Sequence, residues 1–203
     1  MKLKYIILLL LAFAINAQAQ NNTVTGLSWS MGFGVGKTSD YIGSPSFSGF
    51  TIEGHKFVKP NVSVGLMGGW NVFSEKSNST INIGNVALSG EQARYLNVFP
   101  ILANASFYIK NKNSKFVPFI RAHVGTYYIM QRFDIGVYSL NNYNWHLGIA
   151  PELGFNITAS PEIDILVNAK YNYAFDSGER LSGDEDNSHS FFTLNFGISY
   201  RNW

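Results

Sequence analysis

The chain has 203 residues, of which 46% are apolar and 15% aromatic, and it contains no cysteine. The missing cysteine excludes disulfides, cysteine-based metal sites and a lipoprotein anchored through an acylated cysteine. There are 15 Lys and Arg residues against 13 Asp and Glu residues, so the charge balance gives no reason to expect a nucleic-acid partner.

The N-terminus has the pattern of a secretory signal peptide. Lys2 and Lys4 precede an apolar run that ends at Ile15, and Ala17-Gln18-Ala19 follows. A charged start, a short apolar stretch and an A-x-A site are typical of a cleaved signal. The run is shorter than the roughly 20 residues that a membrane-spanning helix needs, which disfavours an uncleaved anchor. We predict a signal peptide at 1–19 and one domain at 20–203. Without the two signal lysines, basic and acidic residues balance.

Eight segments of the predicted domain alternate apolar residues with small or polar ones. A period of two is typical of β-strands with two chemically different faces. In chain order the segments cover about 27–36, 47–57, 62–72, 93–108, 116–131, 145–157, 163–175 and 192–201. We expect polar loops at 37–46, 74–92, 132–143 and 176–189, and short turns at 59–61, 110–115 and 159–161. The alternation is weaker in the second and fourth segments, so it does not assign their faces.

The sixth segment, from Trp145 to Ile157, shows the pattern most clearly. Its odd positions are apolar or proline, and its even positions are small or polar. A usual strand in a soluble protein has about five or six residues, so this segment is long. We predict lipid on the odd face and a polar lumen on the even face. Pro151 lies on the odd face, where a mid-strand proline leaves a carbonyl of the neighbouring strand unpaired unless a bulge intervenes.

Together the segments predict an all-β fold, an eight-stranded antiparallel up-and-down transmembrane β-barrel after the cleaved signal peptide. Longer loops at one end and tight turns at the other are typical of outer-membrane barrels. Both termini then lie on the periplasmic side. Closing the sheet removes its edges, which lipid would leave without hydrogen bonds. A soluble lipocalin-like barrel is the alternative that the same apolar content allows.

Several short motifs resemble one known family. They are the signal end Ala17-Gln18-Ala19-Gln20, the segments Phe57–Gly65 and Gly148–Phe155, Pro118-Phe119, and the closing Phe196–Arg201. They resemble the small eight-stranded outer-membrane β-barrel proteins common in Bacteroidetes. The resemblance implies a monomer in the outer membrane, in contact with lipid and lipopolysaccharide, that is inserted by the barrel-assembly machinery. That machinery reads a C-terminal aromatic residue on the outward face. Tyr200 is in phase with that face, whereas Trp203 is one residue out of phase.

Charged and histidine side chains recur on the predicted inward faces. They are Glu53, His55, Arg121, His123, His146, Glu152, Asp164, Lys170 and Arg201. Side chains fill the interior of an eight-stranded barrel, and a lone buried charge costs several kcal/mol. We therefore interpret these residues as a salt-bridged plug, with Arg121 as the first candidate partner of Glu152. A proton or ion path is the alternative.

Three other motifs resemble chemical sites, but each departs from the pattern that its site requires. His189-Ser190, beside Asp184, Glu185 and Asp186, suggests a hydrolase acting on lipid, but adjacent strand residues point to opposite faces. The acidic run lacks the spacing of a calcium loop. Gly32-x-Gly34-x-Gly36 lies within a strand rather than before a helix, unlike a phosphate loop. We predict no catalytic residue, no cofactor and no metal site.

The predicted function is structural, or an interaction at the cell surface through the loops at 74–92, 132–143 and 176–189, without an open pore. A lipid-modifying outer-membrane enzyme, of the deacylase or acyltransferase type, is the first alternative. A soluble lipocalin-like binder is the second. The sequence identifies no ligand for the loops.

Overall fold

Eight antiparallel strands close into one barrel, each paired with its sequence neighbours and β1 paired with β8. The computed structural model describes residues 22–83, 86–109, 115–136, 138–177 and 187–202. The strands are β1 Thr23–Val35, β2 Ser48–Lys59, β3 Val62–Ile83, β4 Val86–Tyr108, β5 Phe116–Ile135, β6 Tyr138–Thr158, β7 Ile163–Ala174 and β8 His189–Asn202. The all-β, eight-stranded prediction is therefore confirmed. The predicted signal peptide and Trp203 lie outside the described residues.

Two of the predicted loops are wrong, because the chain there continues as paired strands. The segment 74–92 belongs to a long β3–β4 hairpin that is paired up to Ile83 and Val86. The segment 132–143 belongs to a β5–β6 hairpin paired up to Ile135 and Tyr138. Gly136, with φ of 57°, begins the tight turn of that hairpin. Segments rich in polar residues form strands here because backbone hydrogen bonds between neighbouring strands hold both hairpins. We call this side of the barrel the hairpin end, and the other side the terminal end.

The segment 37–46, also predicted as a loop, contains a short helix, α1, from Lys37 to Tyr41. It follows β1 at the hairpin end, and Thr38 and the following Ile42 are buried. No helix in the described part of the chain is long and apolar enough to cross a membrane.

The tight turns at the terminal end follow the sequence prediction. β2 ends at Lys59 and β3 begins at Val62, so Pro60 and Asn61 form the turn. β6 ends at Thr158 and β7 begins at Ile163. Most of the predicted turn at 110–115 and of the acidic loop at 176–189 lies outside the described residues, and His189 already belongs to β8.

The predicted faces of β6 are confirmed. On the odd face Trp145 is 58% exposed, Leu147 68% and Leu153 64%, while His146 and Glu152 on the even face are buried. The structure also assigns the two uncertain strands. β2 turns Thr51, Glu53 and His55 inward, and β4 turns Leu96, Val98 and Leu102 inward. Between Leu96 and Leu102 the inward face of β4 is apolar, which is why the fourth segment showed a blurred alternation.

Pro151 is accommodated without a bulge. It pairs with Ala122 of β5 in an unbroken register. On the β7 side, the ladder runs through Ile149 and Tyr173 and resumes at Glu152 and Lys170 in the same register. Ala150 and Pro151 are therefore not paired with residues of β7. This gap in the β6–β7 ladder lies where Pro151 has no backbone N–H to donate.

The interior is divided into layers along the barrel axis. An apolar layer near the hairpin end contains Phe73, Leu96, Leu102, Tyr127, Ile129, Phe191 and Ile42 among its buried residues. A smaller apolar cluster of Tyr108, Phe119 and Leu166 lies near the terminal end. Inward glycines leave room for these large side chains. A Cβ on Gly32 would lie 2.6 Å from the Phe73 ring, and one on Gly148 would lie 2.6 Å from the Tyr127 ring.

Candidate functional site in the barrel interior

Six of the nine predicted interior residues meet in one group between the two apolar clusters. We call this group the central cluster: Glu53, His55, Arg121, His123, Glu152 and Lys170. The period of two places each side chain on the inward face of its strand. All six are at most 4% exposed. The prediction that these side chains face the lumen agrees with their burial.

Arg121 is the centre of the cluster. Its guanidinium nitrogen Nη1 lies 2.7 Å from Glu53 Oε2 and 2.9 Å from Glu152 Oε1. Its Nε donates to Ser106 Oγ at 2.7 Å, and the guanidinium lies 4.6 Å from the centre of the Phe119 ring. The pairing of Arg121 with Glu152 matches the sequence expectation. The contact with Glu53 was missed, because no sequence spacing relates β2 to β5 across a closed barrel.

Each glutamate also has a histidine beside it. His123 Nε2 donates to Glu152 Oε2 at 2.9 Å. His55 Nε2 lies 3.2 Å from Glu53 Oε1. Lys170 is the cross-strand partner of Glu152 and is 2% exposed. Two carboxylates therefore share one lumen with two cations. Such a balance is what a buried ionic group requires, because an uncompensated charge would cost several kcal/mol.

The remaining three predicted residues do not join the central cluster. Asp164 and Arg201 form their own ion pair at the terminal end, with 2.7 Å between Arg201 Nη2 and Asp164 Oδ1. Arg201 Nη2 also donates to Thr158 Oγ1 at 3.3 Å. His146 lies nearer the hairpin end, where its ring contacts that of His189 with 5.3 Å between the ring centres. The single polar network expected from the sequence is therefore three separate groups.

The interior contains an apolar layer beside its polar groups. The apolar layer near the hairpin end closes the lumen with side chains that are wholly buried, including Phe73, Leu96 and Tyr127. Sequence reasoning missed this layer because inward apolar residues look the same as lipid-facing ones in a one-dimensional pattern. The blurred alternation at Leu96, Val98 and Leu102 was the available signal.

The segment containing α1 covers the apolar layer and is held by four strands. Glu75 Oε2 on β3 accepts hydrogen bonds from Gly43 N at 2.6 Å and Ser44 N at 3.2 Å. Thr38 Oγ1 accepts from the backbone of Ser190 at 3.0 Å. Further bonds from Tyr41 to the Arg132 carbonyl and from Arg94 to the Tyr41 carbonyl tie the segment to β5 and β4. The segment is thus a cap that is fixed to the barrel wall.

Tyr41 occupies a shielded position in this cap. The Arg94 guanidinium lies 5.6 Å from the Tyr41 ring and 5.7 Å from the Phe133 ring, so the cation sits against two aromatic rings. Burial raises the pKa of Tyr41 to about 12 even though the nearby Arg94 lowers it. The phenol therefore stays neutral and remains a donor at every physiological pH.

A belt of aromatic rings crosses the outward face near the hairpin end. Trp70 stacks on Phe99 with 5.5 Å between the ring centres, and Tyr128 lies 5.0 Å from Trp145. Phe99 and Tyr128 connect the two pairs at 6.3 Å. Aromatic rings at this height are typical of the interface between lipid and water.

His189 and Ser190 are not arranged as the base and nucleophile that the hydrolase alternative needs. His189 is buried and turned inward, while the Ser190 hydroxyl donates to the Val35 carbonyl at 2.8 Å. The hydroxyl is thus engaged by backbone rather than by a base. The acidic residues Asp184, Glu185 and Asp186 lie outside the described residues. Among the residues that the structure does describe, no group of three or more His, Asp or Glu side chains could hold a metal ion.

Three solved outer-membrane barrels have a similar fold. Surface protein A of Neisseria superposes with a TM-score of 0.57 at 13% identity, covering 89% of this chain and 97% of that one. The N-terminal β-barrel domain of OprF from Pseudomonas aeruginosa gives 0.53 at 10% identity, covering 89% and 97%. The outer membrane protein OprG from the same organism gives 0.51 at 12% identity, covering 88% and 94%. At these identities the similarity establishes the fold.

No protein-family model matches the chain, and no curated protein matches it in sequence.

Proposed function

We propose that this protein is an integral outer-membrane β-barrel with a closed interior, which serves a structural role or a surface interaction through its hairpin end. The observation that carries the proposal is the contrast between the two faces of the wall. Outward side chains such as Leu66, Val124 and Leu147 are 61–68% exposed, while charged residues are buried inside. This is the reverse of a soluble barrel and matches a wall surrounded by lipid.

A soluble lipocalin-like binder would require that apolar band to face water. Monomeric soluble proteins rarely expose contiguous apolar patches larger than a few hundred Å², yet here the band includes exposed residues of all eight strands. A lipocalin also needs a cavity for its ligand. In the described residues the lumen is occupied by the apolar layer and the central cluster instead.

The same occupancy argues against a diffusion pore. Arg121 reaches from β5 to Glu53 of β2, so ion pairs span the lumen in its middle. Phe73 and Tyr127, both 0% exposed, fill it above. An eight-stranded barrel has room for side chains and little else. The closed interior leaves the wall and the hairpin end as the surfaces through which the protein acts.

Two hairpins rise beyond the closed ring at the hairpin end. β2 pairs with β3 only as far as Val72, and β7 pairs with β6 only as far as Gly148. The upper parts of β3 to β6 therefore form a four-stranded extension. It carries exposed Tyr138 and Leu140, at 70% and 54%. We assign this extension to the outside of the cell, as the surface that meets a partner.

The remaining assignments rest on the barrel proposal. Residues 1–19 direct secretion, and lipid with lipopolysaccharide surrounds the wall. The barrel-assembly machinery takes Tyr200 as its terminal aromatic residue, supported by the 50% exposure of that side chain on the outward face. The functional unit is a monomer, and no cofactor or nucleic acid takes part.

Fractionation tests the location. We expect the protein in the outer-membrane fraction, with a faster band on gels before boiling than after it. Recovery in the soluble fraction would contradict the proposal. Planar-bilayer recording tests closure, and we expect no stepwise conductance from the purified barrel. Incubation with lipid A tests the enzyme alternative. A changed mobility of lipid A that Ser190→Ala abolished would replace the non-enzymatic proposal.

A further inference from the structure

His146 and His189 lie together inside the barrel at the hairpin end, apart from the central cluster. β6 and β8 carry them, on either side of β7, and both side chains face inward and are buried, at 1% and 4% exposure. Their ring centres are 5.3 Å apart with an angle of 86° between the planes. Neither residue belongs to the six residues of the central cluster.

The backbone fixes the proton on the His146 ring. His146 Nδ1 lies 2.8 Å from the carbonyl oxygen of Phe175. A carbonyl can only accept, so Nδ1 carries the hydrogen and donates it. The neutral ring then presents a lone pair on Nε2. That nitrogen is buried and has no hydrogen-bond partner in the described structure. A buried acceptor without a partner is unfavourable, and it calls for a physical explanation.

This arrangement is the one that metal-binding histidines usually have. Their second ring nitrogen donates to a carbonyl or carboxylate, which fixes the tautomer and aims the other nitrogen at the metal. Tetrahedral zinc binds imidazole nitrogen at about 2.0 Å, which places the centres of two such rings about 5 Å apart. The observed separation of 5.3 Å agrees with that distance.

We propose that His146 and His189 bind a divalent transition metal ion at the hairpin end of the barrel. Imidazole ligands suit Zn²⁺, Cu²⁺ and Ni²⁺ and disfavour Mg²⁺ and Ca²⁺, which prefer oxygen. The two nitrogens are the protein ligands that the geometry supplies, and water completes the coordination. The site does not depend on the outer-membrane role, since it rests on contacts within the barrel.

The test uses the full mature chain, without a histidine tag, folded in detergent. Zn²⁺ is titrated by calorimetry, and Cu²⁺ is added for electron paramagnetic resonance. We expect one ion per chain and a Cu²⁺ spectrum that shows two nitrogen donors. His146→Gln and His189→Gln should each weaken Zn²⁺ binding by at least about tenfold, the loss typical when a metal-site interaction is removed. His55→Gln is the matched control, because it removes a histidine of the central cluster and should leave binding unchanged.

Gel migration before and after boiling confirms that each variant is folded. The wild-type Cu²⁺ spectrum tests for two nitrogen donors without relying on the folding of any variant. No binding of Zn²⁺ at millimolar concentration would overturn the proposal and leave edge-to-face ring packing as the role of the pair. Binding that both glutamine variants retain would also overturn it, by placing the ion on carboxylates elsewhere.

Discussion

The Arg121 guanidinium lies 2.7 Å from the Glu53 carboxylate, although β3 and β4 separate their strands around the ring. The contact therefore crosses the lumen and joins opposite walls of the barrel. Because Arg121 also binds Glu152, one cation holds two carboxylates in a volume from which water is largely removed.

Arg121→Met should destabilise the folded barrel by about 3–5 kcal/mol, because it leaves the two glutamates without their shared cation. Urea unfolding in lipid vesicles measures the change. Glu53→Gln in the same background should cost less than it does in the wild type, since its partner is already gone. Arg132→Gln is the control. Arg132 pairs with Asp134 at an exposed site, where an ion pair contributes little to stability. Independent effects of Arg121 and Glu53 would contradict the ionic plug.

Gly65→Ala should destabilise the barrel by about 1–3 kcal/mol, the usual cost of overpacking. A Cβ there would lie 2.6 Å from His55 Nδ1 and overlap the Gly54 carbonyl oxygen. Gly54→Ala, on the neighbouring strand, meets nothing within 4 Å, so it should be neutral or slightly stabilising. The same unfolding measurement compares the two. Equal effects would show that backbone freedom, and not space, explains the glycine at position 65.

Phe73→Ala should cost about 3–5 kcal/mol, because it opens a cavity in the apolar layer. Phe73 is 0% exposed and packs against Phe191 with 5.5 Å between the ring centres. Phe50→Ala, in the outward belt, is the control. That ring is 46% exposed, and lipid chains can take its place. A smaller loss for Phe73 than for Phe50 would argue against a packed interior.

Val124→Arg should destabilise the vesicle-embedded barrel by about 2–4 kcal/mol, the depth-dependent cost of a cation near the middle of a bilayer. Val124 is 61% exposed on the outward face, below the aromatic belt. Asn141→Arg, above the belt on β6, should have little effect. If Val124→Arg were tolerated as well as Asn141→Arg, the outward band would be facing water.

Glu75→Ala should loosen the cap without unfolding the barrel, since it removes the acceptor for the Gly43 and Ser44 backbone donors. We expect faster tryptic cleavage after Lys37 in intact cells or vesicles, with unchanged heat-modifiable migration. Glu162→Ala, at the terminal end, is the control and should not change that cleavage. Cleavage at the wild-type rate would mean that the other hydrogen bonds of the cap are enough to hold it on the barrel.

The alternation of residues predicted which side chains face outward in most of the barrel. From Trp145 to Ile157 the period of two assigned every face, because successive side chains of a strand must point to opposite sides. The same rule brought Glu53, Arg121 and Glu152 into the lumen. It did not reveal that the part of the lumen near the hairpin end is apolar, because inward apolar residues look the same as lipid-facing ones in a one-dimensional pattern.

The strand number, the closed all-β wall and the membership of the inward face could be read from the chain alone, since each depends on local periodicity and on the need to hydrogen-bond every strand. Which inward residues meet became known only from the folded barrel. The contact of Arg121 with Glu53 and that of His146 with His189 depend on the register and closure of the ring, which relate residues far apart in the chain. The extension of both hairpins into segments rich in polar residues also emerged only from the folded chain, because backbone pairing between neighbouring strands forms it.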